Sequence, residues 1–208
     1  MLIVDDHDFF RVGVRSVLSE HGFVVVGEAP SGEAALALVE RRSPDVILMD
    51  LNMPGMSGIE ATRRLTDAGI DTPVIVLTVS SSASDVLEAL EAGASGYLLK
   101  TASPQEIVNS IESAVAGDAP LSAAVARHLV DRARTSGRRD ATPPRDPLSD
   151  RELEVLRLVA DGLDNSQIAE QLHLSPATVK RHVSAILVKL DAANRVQAAI
   201  RAVDLGLV

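Results

Sequence analysis

Five polar positions close short apolar runs in this 208-residue chain: Asp5-Asp6 after Leu2–Val4, Asp50 after Val46–Met49, Thr78 after Val74–Leu77, and Lys100 after Gly96–Leu99. Three carboxylates brought together repel one another unless a cation sits among them. Oxygen-only ligands at an open site favour Mg²⁺, which keeps several waters and takes phosphate oxygens readily. A carboxylate nucleophile, a divalent ion, an ammonium and a hydroxyl together supply what phosphoryl transfer needs, namely positioning and charge neutralisation. Singly, each of these residues reads equally well as a cap or a solvated side chain. The coincidence of all of them at run ends is what points to a site.

The runs read as strands. Val46–Met49 is apolar without alternation, as expected of a parallel-sheet strand buried on both faces, and Pro54, Gly55 and Gly58 bend the chain away after Asp50. A further strand is expected at Phe23–Val26. Between the strands lie helical patterns: Val12 to Leu18 stopping at His21-Gly22, a helix from Ser31 to near Arg42, and one carrying Ile59 and Leu65 to about Asp67. Another carries Val86, Leu87 and Leu90 and stops at Gly93. The last opens at Pro104, with Ile107, Val108, Ile111 and Val115 on one face. Five strand–helix units in alternation predict an α/β fold, a doubly wound five-stranded parallel sheet covered by helices. In such a sheet all the polar strand ends share one edge, where open α/β folds bind ligands.

Residues 2–116 resemble a response-regulator receiver domain, which is flavodoxin-like. The resemblance rests on Val4-Asp5-Asp6-His7, Met49-Asp50-Leu51-Asn52-Met53-Pro54 through Gly58, Val76-Leu77-Thr78, and Gly93-Ala94-Ser95-Gly96-Tyr97-Leu98-Leu99-Lys100. It implies that Asp50 accepts a phosphoryl group. It implies that Asp6 binds Mg²⁺ directly, Asp5 mainly through water, and Asn52 through its backbone carbonyl. Thr78 and Lys100 would contact phosphoryl oxygens, and Tyr97 would report the switch by turning inward. Taken alone, Tyr97 reads as a packed aromatic with its hydroxyl at the surface. His7 reads as a helix-start residue, because the oxygen set already accounts for the ion. Many receivers carry proline after the lysine; here Thr101 follows, and the proline comes at Pro104.

Beyond the first domain, expected at 1–116, Leu121, Val125 and Leu129 suit a short amphipathic helix over about 121–134. A polar, proline-rich tether follows, so 117–147 reads as a linker. Its Arg138-Arg139 could touch phosphates, but such a pair is more often solvated. Over 148–208 a small four-helix domain is expected. Ser149 and Glu152 form a capping box, with Leu153, Leu156 and Val159 facing inward as far as Gly162. Asn165 precedes a short helix, and Ser175-Pro176 opens the next. That helix buries Val179, Val183, Ile186 and Leu190, and opposite them lie Lys180, Arg181, Ser184 and Val188. Two helices across a short turn, the second basic near its amino end, make a helix-turn-helix. A last helix near Asn194 carries an apolar stripe of Val196, Ala199, Ile200 and Val203.

Lys180-Arg181 alone would read as a solvated face. The wider pattern resembles the LuxR-type helix-turn-helix domain: Leu148-Ser149-x-Arg151-Glu152, Val155-Leu156, Gly162-Leu163, Asn165, Ile168-Ala169-Glu170, Ser175, Thr178-Val179-Lys180, His182-Val183, Ile186-Leu187, Lys189-Leu190 and Arg195. The resemblance implies that Lys180, Arg181 and Ser184 point into the major groove of promoter DNA. Thr178, His182 and Lys189 would lie near the backbone, and the last helix would pair in a homodimer.

Charge supports this division. Residues 1–116 carry 7 basic against 17 acidic groups, 117–147 carry 6 against 4, and 148–208 carry 7 against 8. The acidic excess belongs to the first domain, so any nucleic-acid contact must come from a local face of the last. There is no cysteine, which excludes disulfides, thiolate metal sites and thiol nucleophiles. No stretch suits a membrane span or an export signal, and a cytoplasmic protein is expected. Together these readings predict a regulator of transcription, not an enzyme, that takes its phosphoryl group from a sensor histidine kinase. Two rivals compete with it. A hydrolase using Asp50 as nucleophile would need a general acid and substrate loops, for which no candidate stands near Asn52. A DNA-binding protein whose receiver only dimerises, independently of phosphorylation, would not need the full acid-and-lysine set.

Overall fold

The computed structural model describes residues 1–80, 82–117 and 146–208, which fall into two compact units, Met1–Val115 and Ala116–Val208. The amphipathic helix expected over 121–134 and the tether's Arg138-Arg139 lie outside the described residues.

The first unit alternates β1 (Leu2–Val4), α1 (Asp8–Glu20), β2 (Gly27–Ala29), α2 (Gly32–Arg42), β3 (Ile47–Met49), α3 (Gly58–Asp67), β4 (Val74–Thr78), α4 (Ala83–Glu91), β5 (Gly96–Leu99) and α5 (Pro104–Ala116). All pairings are parallel, in the order β2-β1-β3-β4-β5. Side chains alternate across the sheet. Ile3, Leu48, Ile75 and Leu77 pack with Val14 and Leu18 of α1 and Ile107 and Ile111 of α5. Leu2, Val4, Ile47, Met49 and Val74 pack with Ala35 and Val39 of α2 and Ala61 and Leu65 of α3. The sheet is thus doubly wound. The strand order reverses between β1 and β3, so Asp5 and Asp50 leave adjacent strands at that switch point.

Two local expectations are corrected. The second strand is Gly27–Ala29, not Phe23–Val26. β1 is short and registers Leu2 with Gly27, while the apolar run reaches only the start of the chain: Met1 N donates to Val24 O (2.7 Å) and Val26 N to Met1 O (2.8 Å). On α5 the buried stripe ends at Ala114, and Val115 is half exposed, because Ala114 continues the spacing set by Ile107 and Ile111.

After Asp50 the chain must turn back under the sheet edge. Gly58 N donates to Leu51 O, and Ser57 caps α3 by accepting from Glu60 N. A Cβ on Gly58 would sit 1.9 Å from Asp50 O, which is backbone and cannot step aside. Glu33 at the start of α2 accepts from Met56 N (3.0 Å) and holds the same loop from the other side.

In the second unit, α6 (Asp150–Ala160), α7 (Asn165–Leu172), α8 (Pro176–Leu190) and α9 (Arg195–Asp204) enclose one core of Val155, Leu156, Ile168, Val179, Val183, Ile186, Leu190 and Ala199. Val155, rather than the half-buried Leu153, completes the inward stripe of α6. Helix starts are closed by side chains: the Ser149–Glu152 capping box, a second box between Asp164 and Gln167, Ser175 ahead of Pro176, and Asn194. Asp164, one residue before Asn165, is the cap of α7.

Glu152 does more than cap. Its Oε2 accepts from Ser149 N (2.7 Å), from Ser149 Oγ (2.8 Å) and from Lys189 Nζ (2.7 Å), tying the start of α6 to the last turn of α8. Burial alone would raise this carboxyl. The Lys189 ammonium and the Ser149 donors outweigh burial and bring it down to about 2 from an ordinary 4.5.

Two outcomes follow from this packing. Gly58→Ala lowers the stability of the first unit by about 2–4 kcal/mol in urea unfolding, because backbone must move to admit one methyl group. Glu152, with its folded pKa depressed, contributes stability that is complete above pH 4.5 and lost as pH falls toward 2. The unfolding temperature of the second unit therefore falls as pH drops through that window, and Glu152→Gln flattens the dependence.

Candidate functional site

Parallel strands deliver the predicted residues to one edge. Asp5 and Asp50 are 2 % and 3 % exposed, and Thr78 is fully buried. Lys100 Nζ lies 2.6 Å from Asp5 Oδ2 and 2.8 Å from Asp50 Oδ2, so one ammonium bridges two buried carboxylates. Burial alone would lower its pKa, but hydrogen bonds to Asp5 and Asp50 reverse that and hold it above its usual value. Asp50 Oδ1 accepts from Leu51 N (2.8 Å). The backbone of Lys100 is set by its N–H to Thr78 O (2.7 Å), which joins the ends of β4 and β5.

Asp5, Asp6, His7 and Asp50 place one ligand atom each within 4.8 Å of one another. Asp6 Oδ1 is buried and accepts no well-formed hydrogen bond, although His7 Nδ1 stands 2.8 Å away. Three carboxylates facing one ammonium, with an oxygen left over, fit a hard divalent cation. Asn52 is exposed in the loop beyond Asp50.

Thr78 Oγ1 accepts from Ser80 N (3.3 Å), and Tyr97 donates from its hydroxyl to Ser80 O (2.9 Å). Thr78 and Tyr97 are therefore joined through one residue. Burial raises the Tyr97 phenol, and the charges of Asp85 and Asp50 add to this against the opposing Ser80 bond.

Sequence reasoning missed part of the surround. His7 does precede α1, but its ring also turns into the acid set, with Nδ1 3.2 Å from Asp5 Oδ1. The Phe10 ring lies 4.6 Å from Lys100 Nζ, a cation–π contact on the ammonium's second side. Arg11 donates to Asp5 O (2.6 Å). Their common signal is position: all lie in or just before the first turn of α1, directly after the acid pair.

On the second unit, Lys180, Arg181 and Ser184 are exposed along α8, as is Val188 at 70 %. Thr178 and His182 are half-buried, and the Thr178 hydroxyl lies 2.8 Å from Ser175 Oγ. Lys189, expected beside a DNA backbone, is engaged within the fold by Glu152 and by Pro147 O (3.2 Å).

Comparison with known proteins agrees with both halves. Residues 1–112 match the response regulator receiver domain, and residues 146–202 match the bacterial regulatory proteins of the luxR family. The nitrate/nitrite response regulator NarL of Escherichia coli K12 is 40 % identical over 203 residues, covering 96 % of this chain and 93 % of its own. The transcriptional regulatory protein LiaR of Bacillus subtilis is 42 % identical over 203 residues, covering 97 % and 95 %. Among solved structures, the response regulator ChrA of a heme-sensing two-component system shares 37 % identity with TM-score 0.50, covering 100 % of this chain and 97 % of that one. The RcsB response regulator of Salmonella typhimurium shares 26 % identity with TM-score 0.57, covering 92 % of each. The chain belongs to the two-component response regulators that join a receiver domain to a LuxR-type DNA-binding domain, the architecture of phosphorylation-controlled transcription regulation.

Proposed function

We propose that Asp50 is the phosphoacceptor and that its phosphorylation, by a sensor histidine kinase in the cytoplasm, controls binding to promoter DNA. In this reading residues 1–116 are the receiver, 117–147 the linker and 148–208 the DNA-binding domain. The observation that carries it is the single Lys100 ammonium shared by the buried Asp5 and Asp50. A carboxylate oxygen of Asp50 attacks the phosphorus of the kinase phosphohistidine. The N–P bond breaks, an acyl phosphate forms, and the imidazole leaves with its electron pair. Lys100 then moves part of its pairing from Asp50 to a phosphoryl oxygen, which leaves no buried charge unpaired. The Thr78 hydroxyl exchanges its Ser80 partner for another phosphoryl oxygen, and Tyr97, bonded to the same residue, registers the change.

Mg²⁺ would be held by the carboxylates of Asp5, Asp6 and Asp50 with the Asn52 carbonyl, and when bound it neutralises the transferring phosphoryl group. The second unit reads DNA from α8. Arg181 suits a bidentate bond to a guanine edge, Lys180 and Ser184 flank it, and Thr178 and His182 lie toward the phosphates. Lys189 meets DNA with its charge already shared with Glu152. Two copies, pairing through α9, would place two such helices on paired half-sites. No helix among the described residues is long and apolar enough to cross a membrane.

Asp50→Asn abolishes labelling by a small phosphoryl donor in the presence of Mg²⁺ and removes the donor-dependent gain in DNA affinity. Undiminished labelling in that variant sinks the assignment. Lys180→Ala and Arg181→Ala each weaken DNA binding, and a residue that contacts a phosphate lowers the slope of log affinity against log salt by ~0.9. If Arg181 reads a base, its variant instead relaxes sequence preference at about 1–3 kcal/mol.

A further inference from the structure

Val188 stands 70 % exposed on α8, and among the described residues of the second unit it is the one large apolar side chain left so open. Neither packing nor helix formation accounts for it there. It buries little, and a β-branched residue is a poorer helix former than alanine, leucine or lysine. Its place on the helix is specific. It follows Arg181 by seven residues and Ser184 by four. At about 100° per residue, these three exposed side chains share an arc of about 60°. The buried Val179, Val183, Ile186 and Leu190 lie on the opposite side. Lys189, the next residue, already turns back to Glu152, so the outward face runs through Val188 and ends beside it.

We propose that Val188 reads a thymine, through apolar contact with the C5-methyl group of that base in the major groove. The inference rests on the reading of α8 as the element that enters the groove. Of the groups that base pairs present there, the thymine methyl is the apolar one. Val188 offers methyl groups and no side-chain donor or acceptor, so it gains from that methyl and not from a phosphate or a polar base edge. The distance along the helix sets where the thymine falls. Seven residues at about 1.5 Å each carry Val188 about 10 Å beyond Arg181, and base pairs step by about 3.4 Å. The thymine therefore lies about three base pairs from the base that faces Arg181, within the same half-site. Ser184 stands between them with a hydroxyl that both donates and accepts, and so discriminates little. Val188 supplies the discrimination at the far end of the contact. Taking one methyl group out of water corresponds to about 3- to 10-fold in affinity.

The experiment uses the full-length protein with a small phosphoryl donor and Mg²⁺, and first selects its preferred duplex from a random pool. Each thymine of that duplex is then replaced in turn by deoxyuridine, which removes the C5-methyl and keeps the pairing edge. One thymine in a half-site, about three base pairs from the position whose preference Arg181→Ala relaxes, is expected to cost the wild type about 3- to 10-fold in affinity on this change. Val188→Ala is expected to bind the unmodified duplex more weakly by the same factor and to be indifferent to deoxyuridine at that position, since both changes delete one contact. Its slope of log affinity against log salt stays at the wild-type value, because no phosphate contact is lost. Its unfolding midpoint is expected at or above that of the wild type, because alanine is the better helix former, so the weaker binding is not a loss of fold. Val188→Ile keeps the apolar contact and remains sensitive to deoxyuridine. A selected half-site with no methyl-sensitive thymine overturns the contact, as does an equal deoxyuridine effect in the wild type and in Val188→Ala. A wild type that selects no sequence, or an Arg181→Ala variant with unchanged affinity and preference, overturns the reading of α8 itself, and the thymine contact falls with it.

Discussion

One ammonium between two buried carboxylates is the constraint around which the first unit is organised. A carboxylate that is nearly inaccessible to water cannot remain charged without compensation, and breaking such a pair by deleting one partner costs about 3–5 kcal/mol. Lys100 compensates Asp5 and Asp50 together, and the Phe10 ring shields it on another side. The arrangement has more negative than positive charge at its centre. That imbalance suits the edge of the sheet to a cation.

The sheet supplies the precision such a pair needs. Asp5, Asp50 and Lys100 come from chain segments about fifty residues apart, yet each stands one step beyond a strand end. Parallel hydrogen bonding fixes those ends relative to one another with no loop in between. The elements that follow are then held close. Gly58 admits α3 directly under the Asp50 carbonyl, and Glu33 holds Met56 of the intervening turn. A side chain at position 58 would reach Asp50 through the backbone. The glycine there is therefore as much part of the site as the groups that carry charge.

What could be read from the chain alone divides along physical lines. Strand ends were legible because a polar residue closing a buried apolar run is a strong local contrast, as at Asp50 and Thr78. The helix cores were legible wherever one spacing dominated, as for Val179, Val183, Ile186 and Leu190. β2 was not, because Gly-Glu-Ala carries no apolar signal and is chosen by register with Leu2, while the more apolar Phe23–Val26 serves the chain start. Nor were His7, Phe10 and Arg11, whose roles depend on how the first turn of α1 folds over the acid pair. The bond from Lys189 to Glu152 illustrates the same limit. Its position along α8 suits either, and only the path of α6 shows that a buried carboxylate lies within reach.

That bond bears on how the two halves depend on each other. In the second unit, Lys189 is matched by Glu152, Arg151 lies against Glu154, and Arg195 is buried with its guanidinium on Leu163 O. Lys180 and Arg181 lie on the exposed face of α8. Affinity for DNA grows with the number of phosphates neutralised, so few contacts per copy give weak single-copy binding with a shallow dependence on salt concentration. On the proposed reading, weak single-copy binding is what would make control by a phosphoryl group effective. Where one copy barely holds, the second copy contributes most of the useful affinity, and a modest bias on pairing becomes a large change in occupancy. A more basic recognition face would hold DNA more tightly as a single copy and so depend less on a second one.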